Sequence, residues 1–382
     1  MRTEIHPLLS PSLGTQRSIT SFHFGPAAGG GGWPRKVYIQ ASLHAGEIPG
    51  MLVAHLLRQQ LADLEARGLL QAEIVLVPVA NPIGLAQQLH YQPQGRFDLE
   101  TGENFNRLYS EPSAQIMPQL AQQLTQDADA NRGIIRQALR AAIAGQAVNS
   151  ELQSLRQTLH LLALDADLVL DLHCDFAGPV HIYAHSEHWP LVAPLAAHLQ
   201  CGAALLADAY GVMPFDEAIF LPWAKIRAAL PQFPVPFDSV AVTVELRGEG
   251  DVNYTLAGQD SQAILHYLTG CGVIAGEAVA APPLPHPATP LPHPATPLQG
   301  SETLIAPHAG VIVSLAELGS VVQAGDAIAD VIDPVAGTVS TLRAGTDGVF
   351  YVFARHPYVT RGSTVAKIAG AAPLGKKNLL GA

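Results

Sequence analysis

A seven-residue unit, Leu-Pro-His-Pro-Ala-Thr-Pro, occurs twice in tandem, at 284–290 and 291–297. Proline fixes φ and removes a backbone donor, so so dense a run predicts neither helix nor paired strand but an extended, fairly stiff spacer. The 382-residue chain is thereby cut into a long part, 1–279, a Pro-rich linker, 280–300, and a short part, 301–382. A duplicated spacer accounts for His286 and His293 without a metal.

The long part alternates short apolar runs with helical ones. Strands are expected at 36–41, 73–79, 167–172, 180–184 and 240–246, and helices at 49–66, 115–145, 150–164, 190–199 and 257–270. Such alternation predicts an α/β domain around a largely buried sheet. Residues 111–165, rich in Ala, Gln, Leu and Arg, look like a helical insertion without chemistry of its own, a scaffold or a partner surface.

Beyond the linker the pattern turns to β. Gly310-Val-Ile-Val…Val322-Gln-Ala-Gly325 is echoed by Gly348-Val-Phe-Tyr…Val359-Thr-Arg-Gly362. Two copies of strand–turn–strand predict a small pseudo-symmetric barrel or sandwich. It resembles biotinyl and lipoyl carrier domains, which carry a modified lysine at a hairpin tip. Residues 301–366 contain no lysine, so a structural role, or one shaping a site entrance, is expected instead.

The composition excludes several classes of function. The chain is 48% hydrophobic and 14% charged, which suits a large core. Its net charge is −11 and it has no basic stripe, which argues against nucleic acid and anionic lipid as partners. No apolar run reaches the roughly 18 residues of a membrane span. Three cysteines, Cys174, Cys201 and Cys271, make no disulfide framework. With no apolar leader after Met1, the expected compartment is the cytoplasm.

Two strand ends carry the chemistry. His44 and Glu47 follow Lys36-Val-Tyr-Ile-Gln-Ala, and His173 ends Asp167-Leu-Val-Leu-Asp-Leu. Two imidazoles and a carboxylate can hold zinc with one position open for water, as catalytic zinc sites do. His-x-x-Glu alone is a weak signal; His173 strengthens it. Asp171, two residues before His173, faces the same side and can accept its second ring proton. Cys174 is a rival ligand, but the next residue of a strand faces away.

In Gly95-Arg-Phe-Asp-Leu-Glu-Thr-Gly-Glu-Asn-Phe-Asn-Arg, Asn106 and Arg107 suit a substrate carboxylate, and Arg96 can stabilise an oxyanion. The bland alternative is a surface loop with solvated arginines. Glu245 closes Val240-Ala-Val-Thr-Val and is costly there unless used, so it is read as the general base for zinc-activated water. Glu249 is the rival base, and an arginine salt bridge is the structural alternative for Glu245.

The order His-x-x-Glu, Asn81-Pro-Ile-Gly, Asn106-Arg107, Asp171-Leu-His and Val244-Glu-Leu-Arg resembles the succinylglutamate desuccinylase/aspartoacylase family of the zinc carboxypeptidase superfamily. The resemblance runs from residue 36 to about 270, and the terminal β part matches that family's two-domain plan. It implies a three-layer α/β/α domain on a mixed, mostly parallel sheet of about eight strands. It implies one Zn2+ per chain on His44, Glu47 and His173. It implies Glu245 as base, Asn106 and Arg107 as carboxylate binders, and Arg96 as carbonyl polariser. A tyrosine near the site is also implied, with Tyr254, Tyr351 and Tyr358 as candidates. The expected activity is hydrolysis of a small N-acyl amino acid. The alternatives are a zinc carboxypeptidase acting on peptide C-termini and a non-catalytic binding protein. Homo-oligomerisation is left open.

Overall fold

The computed structural model describes residues 1–27, 32–237, 239–283 and 295–374. Its first part contains β1 (Arg2–Pro7), β2 (Ser18–Phe24), β3 (Lys36–Ala41), α1 (Pro49–Ala66), β4 (Glu73–Val77), α2 (Pro82–Ala86) and a small hairpin, β5 (Gln88–Leu89) with β6 (Gln92–Pro93). Then come α3 (Ser113–Gln123), α4 (Ala128–Ala144), α5 (Glu151–Ala163), β7 (Leu168–Asp175), β8 (His181–Ala184), α6 (Trp189–His198), β9 (Ala203–Leu206), α7 (Phe215–Ala229), β10 (Val240–Gly248), α8 (Tyr254–Gly270) and β11 (Ala295–Pro297).

Nine strands form one sheet in the order β1-β2-β4-β3-β7-β10-β8-β9-β11. The pairs β3–β4, β3–β7, β7–β10, β8–β9 and β9–β11 are parallel, and β1–β2, β2–β4 and β8–β10 are antiparallel. Period-2 alternation sorts each central strand onto two faces. Val37, Ile39, Leu170, Leu172, Val242 and Val244 enter the core under α1, α6 and α8. Tyr38, Val169 and Ala241 enter the core that includes α5 and α7. Gln40, Asp171, His173, Thr243 and Glu245 keep the same alternation, so they stand on that second side.

The structure departs from expectation at three places. The helix expected at 115–145 is two helices, because Asp127 caps α4 by accepting from the Asp129 and Ala130 amides. Helix α7 and the outer strands β1, β2 and β9 had no local signal strong enough to be expected. The spacer was expected to make no paired strand, yet Ala295–Pro297 pairs with β9 at the sheet edge. A proline can end an edge strand, where its missing donor faces no partner. Residues 284–294, including His286 and His293, lie outside the described residues.

The C-terminal part is all β: β12 (Ser301–Ile305), β13 (Gly310–Ser314), β14 (Val321–Val322), β15 (Ala327–Asp333), β16 (Thr338–Arg343), β17 (Gly348–Phe353), β18 (Tyr358–Val359) and β19 (Thr364–Gly370). The sequence repeat is visible in its pairing. The short strand of each copy pairs with the first long strand of the other, β18 with β13 and β14 with β17. Lys367, just beyond the lysine-free stretch, lies within β19 rather than at a hairpin tip. Arg355 from this part pairs with Glu249 of the first.

Candidate metal centre

The centre lies at the carboxyl ends of β3, β7 and β10. Ser42, with φ 65°, turns the chain sharply out of β3, and Pro49 opens α1. His44 and Glu47 occupy the turn between them. Gly95 packs on that turn, its carbonyl accepting from the Ala45 amide at 2.8 Å.

His44, Glu47 and His173 are all buried, and one ligand atom from each lies within 4.8 Å of the others. His44 Nδ1 is 2.9 Å from Glu47 Oε1, and His173 Nδ1 is 2.7 Å from Glu47 Oε2. The far ring nitrogens are also held. His44 Nε2 is 2.8 Å from Asn104 Oδ1, and His173 Nε2 is 3.0 Å from Asp171 Oδ2. Asp171 in turn accepts from Gln40 Nε2 at 2.9 Å, and Gln40 Oε1 accepts from the Tyr38 hydroxyl at 2.9 Å. Cys174 contributes its amide, which donates to Glu47 Oε2 at 3.2 Å; its thiol is pushed up by burial first and then by Glu47.

Burial drives the His44 pKa down to about 4 against the pull of Glu47, so this imidazole is neutral at pH 7. For His173, burial also opposes the charge, but Asp171 and Glu47 outweigh it and raise the pKa well above 6.5. Burial would raise Glu47, yet the two histidines hold its carboxyl well below the usual range. The donor set is two imidazoles and an ionised carboxylate, with both rings oriented from behind. It fits zinc.

Glu245 sits opposite His173 in the β7–β10 register and opposite His181 in the β8–β10 register. Its pKa is raised to about 8, by burial first and then by Glu47. A cation among the three ligands would act in the opposite sense. Glu249 is engaged with Arg355, whereas Glu245 stands in register beside His173.

Arg96 lies ten residues before Asn106, yet the chain folds back between them. Phe97 bridges to Asn104, and the Phe105 amide donates to the Arg96 carbonyl at 3.2 Å. Arg96 Nη1 thereby reaches Glu47 Oε1 at 3.2 Å. Asn106 Oδ1 accepts from the Phe215 amide at the start of α7, at 2.8 Å. Arg96, Asn106 and Arg107 line a cavity of about 750 Å³. Roughly half of its lining residues come from 298–367, including Tyr351 and Lys367. Tyr183, Tyr210 and Tyr351 line it, whereas Tyr254 and Tyr358 are exposed elsewhere. Sequence reasoning missed Tyr183, Tyr210, Asp216, Lys367, Gln40 and Asn104. Only Gln40 had a usable signal: it alternates with Tyr38 on the site face of β3.

Residues 34–143 match the model of the succinylglutamate desuccinylase/aspartoacylase catalytic domain. A protein of that family from Shewanella amazonensis SB2B shares 26% identity and a TM-score of 0.82, over 97% of this chain and 98% of its own. The chain is therefore similar to succinylglutamate desuccinylase/aspartoacylase proteins, in sequence over residues 34–143 and in fold over nearly its whole length. A second such protein, from Shewanella frigidimarina NCIMB 400, shares the fold at 24% identity and a TM-score of 0.80, over 97% of each chain. The ectoine utilization protein EutE (DoeB) from Ruegeria pomeroyi shares it at 16% identity and a TM-score of 0.63, over 96% of this chain and 98% of its own. No curated protein matches. The desuccinylase/aspartoacylase match spans His44, Glu47, Arg96, Asn106 and Arg107; His173 and Glu245 lie beyond it and join through the sheet. Among the described residues no helix is long and apolar enough to cross a membrane.

Proposed function

We propose that this chain is a zinc-dependent amidohydrolase of the zinc carboxypeptidase superfamily, which cleaves a small N-acyl amino acid to a carboxylate and a free amine. The observation that carries the reading is the buried His44–Glu47–His173 cluster, register-paired to Glu245 and adjoining a cavity lined by Arg96, Asn106 and Arg107. A cavity of about 750 Å³ suits a small amide.

His44, Glu47 and His173 would hold the zinc, which supplies an acidified water and polarises a carbonyl. Glu245 takes the proton of the attacking water and returns it to the leaving nitrogen. Arg96 donates to the oxygen as it gains charge. The Arg107 guanidinium and Asn106 amide bind the amino acid carboxylate and so fix the scissile carbonyl in place. The β strands of 301–370 wall the cavity and disfavour a long peptide. The three free cysteines fit a cytoplasmic setting.

The test is Glu245→Gln, with metal content and liberated amine measured over a panel of N-acyl amino acids. Full zinc with no turnover is expected; retained turnover removes Glu245 as base. Release of C-terminal residues from peptides without N-acyl cleavage would turn the reading into a carboxypeptidase.

A further inference from the structure

The helices α3 to α5 have no part in the chemistry above, yet one of their side chains reaches the loop behind the metal centre. Arg156 on α5 is buried. Its Nη2 donates to the Asn104 carbonyl at 2.9 Å, and its Nη1 to Glu103 Oε2 at 2.6 Å. One guanidinium therefore clips two successive residues of the loop that joins Arg96 to Arg107.

Asn104 is the residue behind His44. Its Oδ1 accepts from the Asn106 amide at 2.9 Å and lies 2.8 Å from His44 Nε2. The Asn106 N–H can only donate, so the contacting atom must be the oxygen, and His44 Nε2 must carry the ring proton. His44 Nδ1 is then left with its lone pair on the Glu47 side. The Asn104 amide nitrogen is buried without a hydrogen-bond partner among the described residues. The aim of this side chain thus depends on where the backbone of Asn104 is held, and Arg156 holds its carbonyl from one side while the bridge to Phe97 holds the strand from the other.

We infer that Arg156 is a positioning residue: through Asn104 it sets the tautomer and orientation of His44, and with them the zinc affinity of the centre. The inference rests on the reading of His44, Glu47 and His173 as a zinc site. A ligating imidazole whose far N–H is held is pre-aimed and more basic, and loss of such support costs about 10- to 100-fold in metal affinity. The helical insertion is then the rear buttress of the site rather than a bystander.

The experiment is chelator competition for zinc on the metal-free full-length protein, with thermal midpoints alongside. Arg156→Met is expected to bind zinc about 10- to 100-fold more weakly. Arg156→Lys, with the charge but not the fork, should fall between it and the wild type. Arg156→Met combined with Asn104→Ala should bind no more weakly than Asn104→Ala alone, because both act along one path. Leu139→Ala, buried in the insertion core, should lower the thermal midpoint and leave zinc affinity unchanged. Wild-type affinity in Arg156→Met, additivity in the double variant, or equal weakening by Leu139→Ala each overturns the inference while the zinc reading stands. A wild-type protein that binds no zinc overturns both.

Discussion

Asp171→Ala tests the support behind His173, and its size can be worked from the contacts. Asp171 is fully buried; one oxygen accepts from Gln40 Nε2 at 2.9 Å and the other faces His173 Nε2 at 3.0 Å. Alanine leaves two buried donors unmet, at about 1–3 kcal/mol each, or roughly 2–6 kcal/mol in the metal-free protein. Part is offset by relief of Asp216, whose pKa is raised to about 7 by burial first and then by Asp171.

Zinc binding separates this support from general stability. The raised His173 pKa means that the metal-free ring carries two protons at pH 7, and zinc must displace the one on Nδ1. His44 is already neutral and Glu47 already ionised, whereas Glu245, near 8 without metal, is lowered by the cation, so His173 and Glu245 together should release up to about two protons per zinc. The count should shrink as pH rises through the two raised pKa values. In the metal-free state the His173 shift contributes stability that is full below about pH 6.5 and lost above the folded value. Without Asp171 the proton count at pH 7 should fall by about one, the proton that His173 no longer carries. Affinity should still fall about 10- to 100-fold, because a dication loses more from a missing carboxylate than the competing proton does. Calorimetry in two buffers of different ionisation enthalpy reads the protons, and chelator competition reads the affinity. An unchanged proton count with unchanged affinity would refute the reasoning.

At Gly95, a Cβ would stand 2.8 Å from the Ala45 carbonyl carbon and closer still to the Gly46 nitrogen. Backbone meets backbone there, so Gly95→Ala should cost about 1–3 kcal/mol by urea denaturation and lower bound metal. Glu249→Gln removes an ion pair with a half-exposed Arg355. It should change stability by less than about 1 kcal/mol and keep turnover within a few-fold, in contrast to Glu245→Gln.

By itself the sequence determined what is local. Alternation of period 2 along Asp167–His173 and Val240–Glu245 is a property of the backbone, so the side shared by Asp171 with His173, and by Thr243 with Glu245, was legible at once. The turn after β3, the extent of α1 and the duplicated halves of the β part were legible for the same reason. Tertiary structure decided what depends on residues far apart in the chain. The strand order set His173 against Glu47, 126 positions away, and Glu245 beside His173. It brought Lys367 and Tyr351 from the β part into the cavity wall, Phe215 to Asn106, and Arg156 to the back of Asn104. The contacts of Lys367, Tyr351, Phe215 and Arg156 leave no trace in spacing or composition, because each forms only when two separate surfaces pack.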